Sequence, residues 1–128
     1  MKVRVTKNAS LDACTITHDS VRLETLEDVA KWRLQLMELI QAAVGSGRAY
    51  LLVDDNGFSV NPRVAEAYGR VAEELRIRFA KEVFRYGATD PLSSASARLQ
   101  SIKRTHNANM FATRQQAIDA LNREIAKR

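Results

Sequence analysis

The feature that most constrains the fold is a run of mostly apolar residues near the middle of the chain, Ala49-Tyr50-Leu51-Leu52-Val53. A strand covered on both faces has such a continuous apolar sequence, whereas a strand with one exposed face alternates apolar and polar residues. Glycines precede the run at 45 and 47, and a loop-type sequence with two aspartates follows it. The run therefore predicts an interior strand of a sheet that helices cover on both sides.

Strand and helix patterns alternate along the rest of the chain. Polar and apolar alternation, or enrichment in β-branched residues, marks the other strands. These predicted strands cover residues 2–6, 13–18, 21–23, 80–86 and 109–112. Apolar residues at helical spacing follow helix-start signals in four places. The predicted helices begin near residues 25, 62, 92 and 114.

Helix-start chemistry supports these boundaries. Thr25 is followed three residues later by an acidic side chain, and Thr113 by Gln116, so both threonines are predicted to cap helices. Asn61 with Pro62 predicts a third start, because proline is favoured at the first helical position. In the first helix we expect an apolar stripe toward the core, with Trp32 on its flank as a core or interface residue. The stripe comprises Leu26, Val29, Ala30, Met37, Ile40 and Val44, widened by Leu36, Leu39 and Ala43.

This order of elements predicts one α/β domain over residues 1–128. Strands that alternate with helices form a mostly parallel sheet with right-handed crossovers. The N-terminal strands are joined by short turns and can therefore pair antiparallel. We expect a single mixed, mostly parallel sheet of four to five strands with about four helices.

Composition limits the classes of function. The one cysteine, Cys14, cannot form an internal disulfide, and its apolar neighbours predict a buried thiol rather than a reactive one. No signal sequence or membrane-spanning stretch is predicted, and we expect a cytoplasmic protein. The net charge is +5, and all of the excess positive charge lies in residues 70–128. The basic residues are scattered, so a solvated surface is favoured over a nucleic-acid interface.

The central segment resembles a known family. The strand 49–53, its terminal Asp54 and the glycine three residues later resemble the central strand and following loop of STAS domains. Phe84-Arg85-Tyr86-Gly87 and the segment 109–117 resemble their last strands and C-terminal helix, an ending shared with SEC14-like proteins. The resemblance covers roughly residues 23–126. It implies a regulatory domain that binds a protein or a small ligand.

The chain departs from the best-known STAS members in one respect. Those members are anti-sigma-factor antagonists that are phosphorylated on a Ser or Thr at the start of the helix after this loop. Counted from Asp54, that position falls near Pro62 and Arg63, and neither can accept a phosphate. Ser59 is the only hydroxyl in the loop and lies several residues too early. The resemblance therefore implies the fold and a binding role, without the phosphorylation switch.

The loop after the central strand is the predicted binding site. Ligands of open α/β sheets bind outside the carboxyl ends of the strands, and the following helix offers free N–H groups there. The residues expected at this site are Asp54, Asp55, Asn56, Gly57, Ser59, Asn61 and Arg63. The alternative interpretation is a surface turn in which Asp and Asn serve only the turn geometry.

Three functions remain open at this point. The first is a non-catalytic domain that docks a protein partner on the loop 54–63. The second is a carrier that holds a small or lipid-like molecule between helices and sheet, as the SEC14-like resemblance implies. The third is an enzyme, which is least favoured, because Asp54 and Asp55 are expected to diverge and His18 and His106 have structural or surface roles. No cofactor or metal is expected, and a homodimer is compatible with a domain of this size.

Overall fold

The computed structural model describes residues 2–8, 12–87 and 109–127. Within these residues the chain forms seven strands, three α-helices and one short 3-10 turn. The strands are β1 Lys2–Asn8, β2 Ala13–Asp19, β3 Val21–Leu23, β4 Ala49–Asp54, β5 Phe58–Val60, β6 Ala80–Tyr86 and β7 Met110–Phe111. The helices are α1 Leu26–Val44, α2 Ala65–Phe79 and α3 Arg114–Ala126, and the 3-10 turn is Pro62–Val64.

Five strands form one mixed sheet in the order β1-β2-β4-β6-β7. β1 and β2 are antiparallel, and the other neighbouring pairs are parallel. The predicted α/β class, with a mostly parallel sheet and antiparallel N-terminal strands, is confirmed. β4 lies in the middle, where Leu51 is paired with Cys14 on one side and with Val83 on the other. The prediction of an interior strand at 49–53 is therefore confirmed.

The two faces of the sheet have separate apolar cores. Successive strand residues point to opposite faces, so Leu51 and Val53 pack with α1 and α2, whereas Tyr50 and Leu52 pack with α3. Leu52 is fully buried. A leucine-sized side chain gains about 1.5–3 kcal/mol from such burial. β4 is apolar at successive positions because helices cover both of its faces.

The helix starts match their sequence signals. Thr25 and Thr113 each accept a hydrogen bond from the backbone N–H three residues later, and the side chains of Asp28 and Gln116 bind back to the cap residues. Asn61 accepts a hydrogen bond from the N–H of Arg63. The regular helix α2 nevertheless begins later than predicted, because Pro62–Val64 forms a separate 3-10 turn.

The buried stripe of α1 differs from the predicted one at Leu26 and Ala30, which are both exposed. Leu26 is 68% exposed, because it is the first helical residue and the stripe begins almost one turn later. The buried residues of α1 are Val29, Trp32, Leu36 and Ile40. Their spacings of three, four and four residues keep them on one face. Trp32 is only 3% exposed, so it is a core residue.

The segment 54–60 was expected to be a loop, and that prediction is wrong for its second half. Phe58–Val60 forms β5, which pairs in parallel with β3 as a separate two-stranded sheet. Phe58 and Val60 are buried on either side of the half-buried Ser59. This period of two is a strand pattern, although three residues are too few to distinguish a strand from a loop by sequence alone.

The structure also bears on the predictions for the cysteine and for a membrane-spanning segment. Cys14 is 2% exposed, which confirms the buried thiol, and burial raises its pKa. The predicted helix near 92–102 and His106 lie outside the described residues. Among the helices that are described, none is long and apolar enough to cross a bilayer.

Candidate functional site

The predicted site lies at the carboxyl edge of the sheet, where three parallel strands end next to each other. β2 contributes His18, β4 ends at Asp54 and is followed by Asp55, and β6 contributes Arg85. β3 and β5 lie beyond this edge and connect the ends of β2 and β4 to the starts of the helices. In β2 and β4 the polar residues follow the apolar part of the strand, whereas Arg85 lies between the buried Phe84 and Tyr86 of β6.

Asp55 is bound inside the molecule rather than presented to solvent. Arg85 donates one hydrogen bond from Nε to Asp55 at 2.9 Å and a second from Nη2 at 2.7 Å. The two side chains are only 13% and 9% exposed. Burial opposes the charge on Arg85, but the attraction of Asp55 outweighs it, and the pKa of Arg85 lies above its usual range. Arg85 therefore stays charged, and its two hydrogen bonds to Asp55 join β6 to the residue after β4.

Tyr68 of α2 completes this buried group. Its ring lies 5.7 Å from the guanidinium carbon of Arg85, a distance typical of a cation–π contact. Burial raises the pKa of Tyr68 to about 12, although the nearby Arg85 acts in the opposite direction. Tyr68 is therefore a neutral phenol that holds the start of α2 against the ion pair.

Asp54 has a different role from its neighbour. Its Oδ1 accepts hydrogen bonds from the backbone N–H and the side-chain Nδ2 of Asn56, both at 2.9 Å. Asp54 thus stabilises the turn, while Asp55 binds Arg85. The expectation that these two carboxylates diverge is confirmed.

Gly57 allows the chain to pass close to β2. Its φ is +73°, and a Cβ atom at this position would lie 2.9 Å from the carbonyl oxygen of His18. The residue before β5 must therefore be glycine for both conformational and steric reasons. On the other side of the turn, Gly87 leaves room for the side chain of Asn56.

His18 is buried in an aromatic cluster at the same edge. Its ring stacks on Phe58 at 4.3 Å, and Trp32 contacts both Phe58 and Tyr68. His18 Nδ1 lies 2.9 Å from the carbonyl oxygen of Asp54, and Trp32 Nε1 donates to His18 Nε2 at 3.4 Å. These contacts require a neutral ring protonated on Nδ1. Burial lowers the pKa of His18, in agreement with that assignment.

The exposed part of the site is a polar cleft on the outer surface of β3 and β5. Its volume is about 460 Å³. Its walls include Ser20, Arg22, Glu24 and Ser59. Asn61 Nδ2 donates to Glu24 Oε2 at 3.1 Å, which connects the helix start to the end of β3. Arg63 is exposed, and its backbone N–H donates to the side chain of Asn61. We call this surface, from Ser20 to Glu24 with Ser59, Asn61 and Arg63, the β3–β5 face.

The structure thus divides the seven predicted residues into three groups. Ser59, Asn61 and Arg63 belong to the β3–β5 face, and Gly57 borders its cleft. Asp54 and Asn56 form the turn. Asp55 lies beneath the surface. Sequence reasoning missed Arg85, Arg22 and the aromatic cluster. The position of Arg85 between two aromatic residues, Phe84 and Tyr86, was the one signal available.

A second concavity lies between α1, α2 and the sheet. It is a cavity of about 40 Å³, and most of its wall is aliphatic.

Within the described ranges, no group of three or more His, Cys, Asp or Glu side chains could hold a metal ion. Comparison of the chain with protein-family models, with curated proteins and with solved structures finds no match.

Proposed function

We propose that this domain is a non-catalytic, STAS-like interaction module that binds a protein partner through the β3–β5 face. The observation that carries this proposal is the polar cleft of about 460 Å³ on that face. The cleft lies at the carboxyl edge of a mostly parallel sheet, where α/β domains most often bind their ligands.

The face is supported rigidly from below. Val21, Leu23 and Val60 point inward and are at most 1% exposed. The Asp55–Arg85 pair and the Asn61–Glu24 hydrogen bond fix the two ends of the strands. A rigid surface loses little conformational entropy when a partner docks, which favours protein recognition.

The charges on the face indicate what the partner presents. Arg22 and Arg63 are both exposed, whereas Glu24 is engaged by Asn61. A partner segment that presents an acidic side chain, flanked by polar and apolar residues, would match the two exposed arginines. Arginine is a frequent anchor in protein interfaces because its planar group forms paired hydrogen bonds with carboxylates.

The carrier function receives less support. The cavity of about 40 Å³ between helices and sheet holds no more than a few water-sized groups, each of which needs roughly 10–15 Å³ of such space. A lipid-like chain needs a much larger apolar space. The size of the described cavity therefore favours protein docking over lipid carriage.

A charge-reversal experiment tests the proposal. The purified domain is immobilised and exposed to lysate of its own source, and retained proteins are quantified by mass spectrometry for wild type, Arg63→Glu and Arg48→Glu. Arg48 is also exposed but precedes β4, at the opposite edge of the sheet. A partner retained by wild type and by Arg48→Glu, but lost with Arg63→Glu, supports the β3–β5 face. Identical retention by all three proteins contradicts it.

A further inference from the structure

The cavity between α1, α2 and the sheet has an apolar wall with a cationic group in it. Strands β2, β4 and β6 contribute aliphatic side chains that include Ile16, Leu51 and Val83. The helices add Leu36, Ile40, Ala72 and Leu75. The polar residues in the wall are His18, Trp32, Arg76 and Arg85. Such a mixed lining is typical of small-molecule sites, where a few polar groups orient an otherwise apolar ligand.

Three of these four polar residues are already engaged. His18 and Trp32 bind each other, and the second nitrogen of His18 is bound to Asp54. Arg85 uses Nε and Nη2 for Asp55. Arg76 differs, because its Nε is buried and, across the part of the chain that the structure describes, has no hydrogen-bond partner. A buried donor without an acceptor is destabilising, because it has lost its hydrogen bonds to water, so an acceptor here would be favoured.

Water satisfies this site poorly. A buried water molecule ordinarily needs two to four polar partners. Among the described lining residues only Arg76 has a free buried donor, and the neighbouring wall is aliphatic. A carboxylate on a short apolar body would suit the lining better, because its negative charge complements the guanidinium of Arg76 and its methyl or ethyl group matches the aliphatic wall that includes Leu36 and Leu75.

We propose that this cavity binds a short-chain carboxylate, with the carboxylate accepting a hydrogen bond from Arg76 Nε and the alkyl group inserted between the helices and the sheet. The volume of about 40 Å³ limits the inserted group to about one or two carbon atoms. Acetate and propionate therefore fit, whereas hexanoate does not. The proposal concerns a different surface from the β3–β5 face and does not depend on protein docking there.

The intrinsic fluorescence of Trp32 provides a direct readout, because it is the only tryptophan in the chain and lines the cavity. Sodium acetate, propionate and hexanoate are titrated into the full chain, and sodium chloride keeps the ionic strength constant. We expect a saturable change in emission with acetate and propionate, and a weaker one with hexanoate. A response to chloride as large as that to propionate, or no saturable response to propionate, overturns the proposal.

Two variants test the position of the ligand. Arg76→Met removes the donor and is expected to weaken propionate binding by roughly tenfold or more, as for loss of a hydrogen bond to a charged group. Arg70→Met is the matched control, since Arg70 lies on the same helix but pairs with Glu66 at the surface. Unchanged affinity in Arg76→Met, or equal loss in both variants, contradicts the assignment.

A third variant tests the same site independently, in case Arg76→Met does not fold. Ala72→Leu keeps Arg76 and adds apolar volume to the cavity wall. If the thermal midpoint of this variant is close to that of wild type, propionate binding is expected to fall by at least about tenfold, because the alkyl group loses its space. Wild-type affinity in a folded Ala72→Leu protein would show that the ligand binds elsewhere.

Discussion

Arg85 binds Asp55 through two hydrogen bonds of 2.9 Å and 2.7 Å, and so connects strand β6 to the residue that follows strand β4. The pair is nearly buried, and Tyr68 packs against it from α2. Removing two charges from water is costly, but two parallel hydrogen bonds recover much of that cost. The carboxyl edge of the sheet therefore depends on both partners being present.

The first prediction concerns that dependence. Asp55→Asn removes the negative charge with little change in shape and leaves the buried Arg85 without its counter-ion. We expect a loss of about 3 kcal/mol in the free energy of unfolding, measured by urea denaturation. Asp12→Asn is the control, because Asp12 pairs with Lys81 at the surface and should cost less than about 1 kcal/mol.

A double variant separates loss of the ion pair from loss of packing. Asp55→Leu with Arg85→Met removes both charges and keeps apolar volume at the site. We expect this protein to be more stable than Asp55→Asn, because no unpaired charge stays buried. If the double variant were less stable than the single one, the unpaired charge would not be the cause of the loss.

The second prediction concerns the turn before β5. Gly57→Ala places a methyl group in a left-handed conformation and 2.9 Å from the carbonyl oxygen of His18. We expect destabilisation of about 2 kcal/mol or more, from backbone strain together with the clash. Gly47→Ala should be neutral or slightly stabilising, since the nearest atom to its Cβ would be 4.0 Å away. Equal effects of the two changes on urea midpoints would refute this account.

The third prediction concerns the start of α1. Thr25→Ala removes the hydroxyl that accepts from the N–H of Asp28 and should cost about 1 kcal/mol. Thr25→Ser keeps an acceptor at the same place and should retain most of the stability. Thermal and urea unfolding of the two proteins provide the comparison, and similar losses for Ala and Ser would show that the cap hydrogen bond contributes little.

The interior of the sheet could be predicted because local sequence determines it. Leu51 and its neighbours are apolar at every position, which only a strand covered on both faces requires. The caps at Thr25 and Thr113 could be predicted equally well, since all residues of a capping box lie within four positions of one another in the sequence. Features that depend on neighbours in sequence were therefore predicted well.

The site was harder to predict because its contacts connect distant parts of the chain. Asp55 and Arg85 are 30 residues apart, and His18 and Asp54 are 36 apart. Nothing local distinguishes Asp55, which is bound to Arg85, from Asp54, which stabilises a turn. β5 was missed because its partner β3 lies far away in sequence and a three-residue strand has almost no periodicity of its own.

The last prediction concerns pH. His18 is 8% exposed, and burial lowers its pKa below the ordinary value of 6.5. The hydrogen bond to the Asp54 carbonyl and the charge of Asp55 raise the pKa, whereas the charge of Arg85 lowers it further. The folded protein therefore binds this proton less readily than the unfolded chain does. The stabilisation from neutral His18 is fully present above about pH 6.5 and decreases as the pH falls below that value, levelling off below the folded pKa.

His18→Gln tests this by removing the titrating ring while keeping an amide that can donate and accept hydrogen bonds. Urea unfolding of both proteins is measured between about pH 7.5 and pH 5.5, above the range where most carboxylates titrate. His106 is present in both proteins, so the difference between them reports on His18. We expect wild type to lose more stability on acidification, by up to about 1.4 kcal/mol for each unit of pKa depression. Parallel pH profiles would mean that the proton affinity of His18 is the same in the folded and unfolded states, which its burial and the hydrogen bond that its Nε2 accepts from Trp32 argue against.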